Sequence, residues 1–224
     1  MIIGISASGR VANKDGAGKL RGGVTEELVR YIIEKTSEPH EFVSLSGKRI
    51  SGCMGCVSCA KDNVCVINDD WAQIRDKMLA ADAVVFGAPN YYGTINALGH
   101  AFLERTYSLR HRERFALSGK LNAIVAVGSE EANPVEDFIK MMFRSNHMAE
   151  PAGVLRTSGI SQCYLCGFGH NCAAGAVVAK HGFLPSVEDY HIPVLSQDVY
   201  RRAYVIAHKL GEMIRSKKQT LQSQ

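Results

Sequence analysis

The stretch CMGCVSCAKDNVC gathers Cys53, Cys56, Cys59 and Cys65, four of the chain's seven cysteines, inside thirteen residues. Three thiolates at equal two-residue gaps, with a fourth after five more, can wrap one inorganic cubane, because soft sulfur suits iron and short gaps keep the ligands around one centre. Zinc accepts the same ligands, more often from two separated pairs, and unligated or disulfide-bonded cysteines form a third reading. Gly52 and Gly55 relax the backbone between the sulfurs. A second group, CYLCGFGHNC, holds Cys163, Cys166 and Cys172 with His170 among them. Three cysteines and a histidine can close a tetrahedral zinc site, although His170 and Cys172 stand close together for two ligands. A second metal at Cys163, Cys166 and Cys172 therefore stays open beside two other readings, a redox thiol pair with a bystander and a packed Gly-rich loop.

Such groups need a frame. The chain has 224 residues, 46% apolar and 21% charged, which is enough for a hydrophobic core without covalent staples. An odd number of cysteines in a chain of this kind points to a reducing compartment, so a cytoplasmic location is expected. The opening MIIGISASGR has no basic region ahead of its short apolar run and reads as a buried strand, not a signal peptide. No apolar run is long enough to span a bilayer. The formal net charge of +4 owes much to the tail RSKKQTLQSQ, which reads as a frayed terminus; no basic, aromatic-interleaved stripe calls for a nucleic acid.

Five apolar runs read as buried strands: MIIGI, EFVSL, DAVVFGAP, KLNAIVAVG and AGVLRTSGI. Between them lie periodic segments that read as helices. TEELVRYIIEKT places Leu28, Tyr31 and Ile32 on one side with Thr25 as its cap, and DDWAQIRDKMLAA, ALGHAFLERTYSL, NPVEDFIKMMFRSNHMA and DVYRRAYVIAHKLGEMIRS follow. Pro89 is expected to end the third strand. The alternation predicts one α/β domain over 1–224, a doubly wound five-stranded parallel sheet. Cysteine-containing loop insertions sit at 50–68 and 160–175, and one functional rim lies outside the carboxyl ends of the strands.

Three loops meet at that rim. The first offers Ser6, Ser8 and Arg10, with Thr25 at the next helix, a set able to cradle a phosphate through hydroxyls, backbone donors and a guanidinium fork. A plain strand-to-helix turn is the competing reading. The loop is neither a GxGxxG fingerprint nor a GxxxxGK[ST] P-loop. After the third strand, APNYYGT sets Tyr91 beside Tyr92, an apolar wall suited to a planar ring. Gly128, Ser129 and Glu130 form the third edge.

Taken together, GISASGR, GGVTEELV, GAPNYYGTINALGHAFLER, AVGS and the first cysteine stretch resemble the iron–sulfur flavoprotein family, a branch of the flavodoxin-like NAD(P)H-dependent FMN reductases. The likeness covers roughly residues 1 to 130. It implies a flavodoxin-like fold that binds FMN, a [4Fe–4S] cluster within electron-transfer distance of the flavin across a subunit interface, and a homo-oligomer, dimer or tetramer. Carried over residue by residue, Ser6, Ser8, Arg10 and Thr25 match the phosphate positions. Pro89, Asn90, Tyr91, Tyr92, Gly93 and Thr94 match the flavin-ring loop, Gly128 and Ser129 the third loop, and Cys53, Cys56, Cys59 and Cys65 the cluster ligands. The long VANKDGAGKLR insertion after Arg10 departs from the family pattern and reads as a lid or an oligomer contact.

The function that follows is an oxidoreductase passing electrons between cluster, flavin and a small-molecule or protein acceptor, with ferredoxin or NAD(P)H as donor. Direct NAD(P)H-dependent FMN or quinone reduction, a non-enzymatic electron carrier and a zinc-stabilised interaction module are the alternatives. No catalytic side chain is singled out.

Overall fold

The apolar runs become strands whose two faces are both covered. The computed structural model describes residues 1–128 and 134–222, with side chains up to residue 220. Five parallel strands, β1 (Ile2–Ser6), β4 (His40–Ser44), β5 (Ala83–Tyr91), β7 (Leu121–Val127) and β8 (Val154–Thr157), lie in the order β4-β1-β5-β7-β8. Counted among themselves, these strands run 2-1-3-4-5, the flavodoxin-like doubly wound order. A short strand β6 (Thr94–Ile95) adds antiparallel to the end of β5, so the sheet has six strands where five are expected.

Alternation along the central strands sorts side chains into two cores. Ile2, Val85, Ala123, Val125 and Leu155 pack with Leu28, Val29 and Ile32 of α1 (Val24–Lys35) and with Ala203, Ala207 and Leu210 of α5 (Gln197–Gln222). On the opposite face, Ile3, Ile5, Phe86, Ile124 and Ala126 meet Trp71 and Ile74 of α2 (Trp71–Ala80), Phe102 of α3 (Ala97–Glu104) and Ile139 of α4 (Pro134–Ser145). The carboxyl ends of β1, β5, β7 and β8 thus point to one rim.

Two boundaries differ from expectation. Thr25 does not cap α1; it lies inside the helix and is buried, and the cap is Gly23 in a left-handed conformation. Only a residue without Cβ fits there, since a Cβ would stand 2.2 Å from the Val11 carbonyl oxygen. Pro89 does not end β5. The strand continues to Tyr91: the β1 ladder stops at Gly87, and beyond it β5 pairs with β6 through Asn90 and Tyr91, while Pro89 takes part through its carbonyl, which accepts the Asn96 N–H at 3.2 Å.

The insertion after Arg10 folds as a small antiparallel hairpin of β2 (Asn13–Lys14) and β3 (Leu20–Gly22). Asp15 clasps it by accepting from the Ala17 and Lys19 N–H groups at 2.9 Å, which holds its carboxyl below the usual range. Arg21 joins Asp15 and reaches the Asp189 carboxylate at 2.7 Å, tying the hairpin to the last third of the chain. No helix among the described residues is long and apolar enough to cross a membrane.

Candidate functional site

The first loop is shaped by its own serines. Ser6 and Ser8 are buried, and the Ser8 hydroxyl donates to the Arg10 carbonyl at 2.8 Å while accepting the Arg10 N–H at 3.1 Å. This closes a tight turn of the kind serine favours. The turn sends the Arg10 guanidinium toward the far side of the rim, where Nη2 donates to the Ile160 carbonyl at 2.8 Å. Among the described residues its Nη1 is buried without a partner. Val11 and Ala12 then cross the start of α1 against Gly23.

The second loop is a two-residue hairpin turn between β5 and β6. Asn90 pairs with Ile95 and Tyr91 with Thr94, while Tyr92 and Gly93 take positive φ of 53° and 77°. Such a turn matches strand twist, but it holds a bulky residue in the left-handed region. The Asn90 Oδ1 braces the turn by accepting the Gly93 N–H at 3.0 Å. Tyr92 stands fully exposed at the tip, whereas Tyr91 is 38% exposed.

These loops enclose a cleft of about 460 Å³ lined by Arg10, Pro89, Asn90, Tyr91, Gly128 and the segment 159–163. Gly128 leaves room for its neighbour, since a Cβ there would fall 2.5 Å from that of Asn90. Of the residues expected at the site, the fold brings Arg10, Pro89, Asn90, Tyr91 and Gly128 together. Ser6, Ser8 and Thr25 lie beneath the loop and do not line the cleft, and Tyr92, Gly93 and Thr94 are exposed on the hairpin beside it. Ser129 and Glu130 lie outside the described residues. The wall from Gly159 to Cys163 was not foreseen, although it follows from β8: a parallel strand ending at Thr157 must deliver its next loop to the same rim.

The first cysteine stretch lies apart from this cleft. Cys53, Cys56, Cys59 and Cys65 line a separate, largely apolar pocket of about 260 Å³ with Met54, Val57 and Arg105. Its floor is an enclosed ion pair: Arg105, 1% exposed, holds Asp69 through two nitrogens at 2.8 and 3.2 Å and also donates to the carbonyls of Ser51 and Ile67. Burial works against the Asp69 charge, yet the Arg105 fork keeps its carboxyl below the usual range.

The expectation of a [4Fe–4S] cluster on Cys53, Cys56, Cys59 and Cys65 is corrected here. Among the described residues, no group of three or more His, Cys, Asp or Glu side chains is placed to hold a metal ion. Each thiol has its own neighbour instead. Cys53 Sγ accepts the Gly55 N–H at 3.4 Å, Cys56 is engaged by the Ser58 hydroxyl, Cys59 turns inward to His111 Nε2 at 3.0 Å, and Cys65 interacts with Arg105. Burial pushes the Cys59 thiol up, a direction opposed to a thiolate ligand. The same finding corrects the reading of a second metal at Cys163, Cys166 and Cys172. All seven cysteines are free, and metal binding is withdrawn together with cluster-to-flavin electron transfer as the main function.

Over residues 2–159 the chain matches the model of the NADPH-dependent FMN reductase family. The chain belongs to that family. Within it, the chain sits in the branch whose members are named iron–sulfur flavoproteins. One from Methanocaldococcus jannaschii is 33% identical over 144 residues, covering 63% of this chain and 68% of the relative. Another from Methanosarcina thermophila is 31% identical over 150 residues, covering 66% and 73%. The fold is shared with RosB, solved with a bound 8-demethyl-8-formylriboflavin-5'-phosphate intermediate, at a TM-score of 0.60 and 13% identity over 98% of this chain and 80% of that one. As a member of the FMN reductase family, the chain is a flavin-dependent oxidoreductase.

Proposed function

We propose that the chain is an NAD(P)H-dependent FMN or quinone reductase whose flavin occupies the cleft between Arg10 and Tyr91. The observation that carries this reading is the orphaned Arg10 guanidinium. It is held in place by the Ile160 carbonyl, with one nitrogen buried and unpartnered in a cleft at the carboxyl ends of the strands. A buried guanidinium nitrogen without an acceptor is costly, and an anionic group seated there satisfies it.

The donor set fits FMN. Arg10 would take the phosphate end, with the Ser8 turn fixing its direction. Asn90 and Tyr91 would bound the ring edge, while Val127 and Ile160 supply apolar walls. FMN, when bound, accepts a hydride as an electron pair and hands electrons on to an acceptor. The chain's own work is to seat the ring, exclude water from one side of it and leave the other side open. Tyr91, 38% exposed at the mouth, is the side chain placed to stack against an aromatic ring.

A reduced nicotinamide donor and a small quinone-like acceptor go with this reading, as does a reducing compartment such as the cytoplasm, supported by the seven unpaired thiols. We place the whole of 1–224 in one domain around the sheet. Exposed Phe168, Phe183, Tyr190 and Val194 are suited to a contact with a second copy.

The test is a titration of flavin-stripped protein with FMN, followed by NADPH oxidation with a small quinone as acceptor. One FMN per chain, and NADPH consumption that requires both FMN and quinone, are expected. Failure to bind FMN, or binding without any NADPH oxidation, overturns the reading.

A further inference from the structure

The flavin reading leaves the thiols of the 160–175 loop unused, yet one of them lines the cleft. Cys163 is half-buried in the wall formed by Gly159–Cys163. Its sulfur accepts the Ala176 N–H at 3.4 Å, and the Ser161 hydroxyl lies against it, the same hydroxyl that accepts the Cys163 N–H at 3.2 Å. Both contacts favour a negative sulfur and hold this thiol below its ordinary range despite partial burial.

Cys166, three residues on, is exposed and folds back onto Cys163, with its sulfur 3.5 Å from the Cys163 carbonyl oxygen. The doubling-back is built into the chain. Gln162–Tyr164 form a single 3₁₀ turn, and Gly169 packs so closely on Cys163 that a Cβ there would stand 1.9 Å from the Cys163 carbonyl oxygen. A packed loop would bury these sulfurs. Here one faces a cleft and the other faces solvent, with short C-x2-C spacing between them.

We propose that Cys163 and Cys166 form a thiol–disulfide exchange pair at the edge of the cleft, with low-molecular-weight disulfides as substrates. Cys163 gives its proton to water, and its thiolate attacks one sulfur of the substrate. A new S–S bond forms, the substrate S–S bond breaks, and one thiolate leaves with the electron pair and takes a proton from water. Cys166 then gives its proton to water and attacks the Cys163 sulfur, releasing the second thiolate, which is protonated in turn. The substrate gains two electrons and two protons, and the pair loses the same. An excess of the reduced thiol runs both steps in reverse, so the pair is restored without another reductant. Neither step needs flavin, and the proposal stands independently of the reading above.

The experiment uses the full chain with glutathione as the probe. Wild-type protein is incubated with oxidised glutathione, quenched with acid and mapped by mass spectrometry, alongside Cys166→Ser. A Cys163–Cys166 disulfide is expected in the wild type, and a single glutathione trapped on Cys163 in the variant. Iodoacetamide at neutral pH should alkylate Cys163 about tenfold faster than the exposed Cys172, as its stabilised sulfur requires. Glutathione spread evenly over Cys163, Cys166 and Cys172, or equal alkylation of Cys163 and Cys172, overturns the proposal. The wild-type map reads the pair even if the variant misfolds.

Discussion

The two cysteine stretches look alike in sequence and stand in opposite physical settings. The first spans Cys53 to Cys65 over an enclosed Arg105–Asp69 pair, and its innermost thiol, Cys59, is buried against His111 with its ionisation suppressed. The second runs from Cys163 to Cys172 and meets the rim cleft only at Cys163, its innermost thiol, which is supported by a hydroxyl and a backbone N–H that favour ionisation. Equal C-x2-C spacing therefore yields one stretch seated on a structural ion pair and another that meets the rim cleft through a thiol whose ionisation is favoured. What separates them is the element beneath: a packed 3₁₀ segment, Arg105–Leu109, under the first and the carboxyl rim of the sheet under the second.

If the first stretch depends on its floor, removing the floor should cost most. Arg105→Leu leaves the Asp69 carboxylate enclosed and unpaired and frees the Ser51 and Ile67 carbonyls, so a loss of about 3–5 kcal/mol is expected in urea unfolding. Asp69→Asn adds a pH signature. The native carboxyl lies below its unfolded value, so its contribution is present above the unfolded pKa and lost as pH falls through the native one. The stability gap between wild type and Asp69→Asn should be constant above about pH 5 and close below about pH 4. A gap independent of pH would show that the pair does not anchor the pocket.

The cleft should respond in binding and not in stability. Arg10→Ala removes the guanidinium that lines it among the described residues, and FMN affinity is expected to fall by about 1–3 kcal/mol, the worth of a charge-assisted hydrogen bond. Among the described residues the guanidinium donates only to the Ile160 carbonyl, so the urea midpoint should move little. An unchanged FMN dissociation constant would take Arg10 out of the site. Loss of stability without loss of affinity would make it a strut like Arg105.

The sequence carries the sheet well, because β5 and β7 must be apolar on both faces and leave runs that cannot be mistaken for surface. It carries the rim too, since the strand order fixes where the loops gather. It carries less of what depends on distant chain. Thr25 satisfies every local condition for a cap, yet the cap falls two residues earlier at Gly23, where the backbone of Val11 and Ala12 leaves no room for a Cβ. Pro89 reads as a stop, but whether a missing N–H matters depends on how far β1 extends beside it. The first cysteine stretch shows number and interval but not direction; the Cys59 and Cys65 sulfurs are engaged by His111 and Arg105, 52 and 40 residues away in sequence. The fourth wall of the cleft was equally hidden, because Gly159 and Ser161 carry no chemical signature of their own and matter only through the position of β8.

The smallest expected effect bears most directly on the contrast between the two stretches. Ser161→Ala removes the hydroxyl beside the Cys163 sulfur and leaves the Ala176 N–H in place. The thiol should move back toward its ordinary range, which lowers the ionised fraction at neutral pH and slows its alkylation about threefold, since the thiolate is the reacting form. Cys59 should remain slow in both proteins, because its protection is burial and Ser161 does not touch it. Raising the pH to about 10, well above the ordinary cysteine value, should erase the difference at Cys163, as both proteins then carry mostly thiolate there. A difference that persisted at high pH would assign the slowing to altered access at the cleft wall. An alkylation rate at Cys59 rising in step with Cys163 would mean that the two stretches share one environment after all.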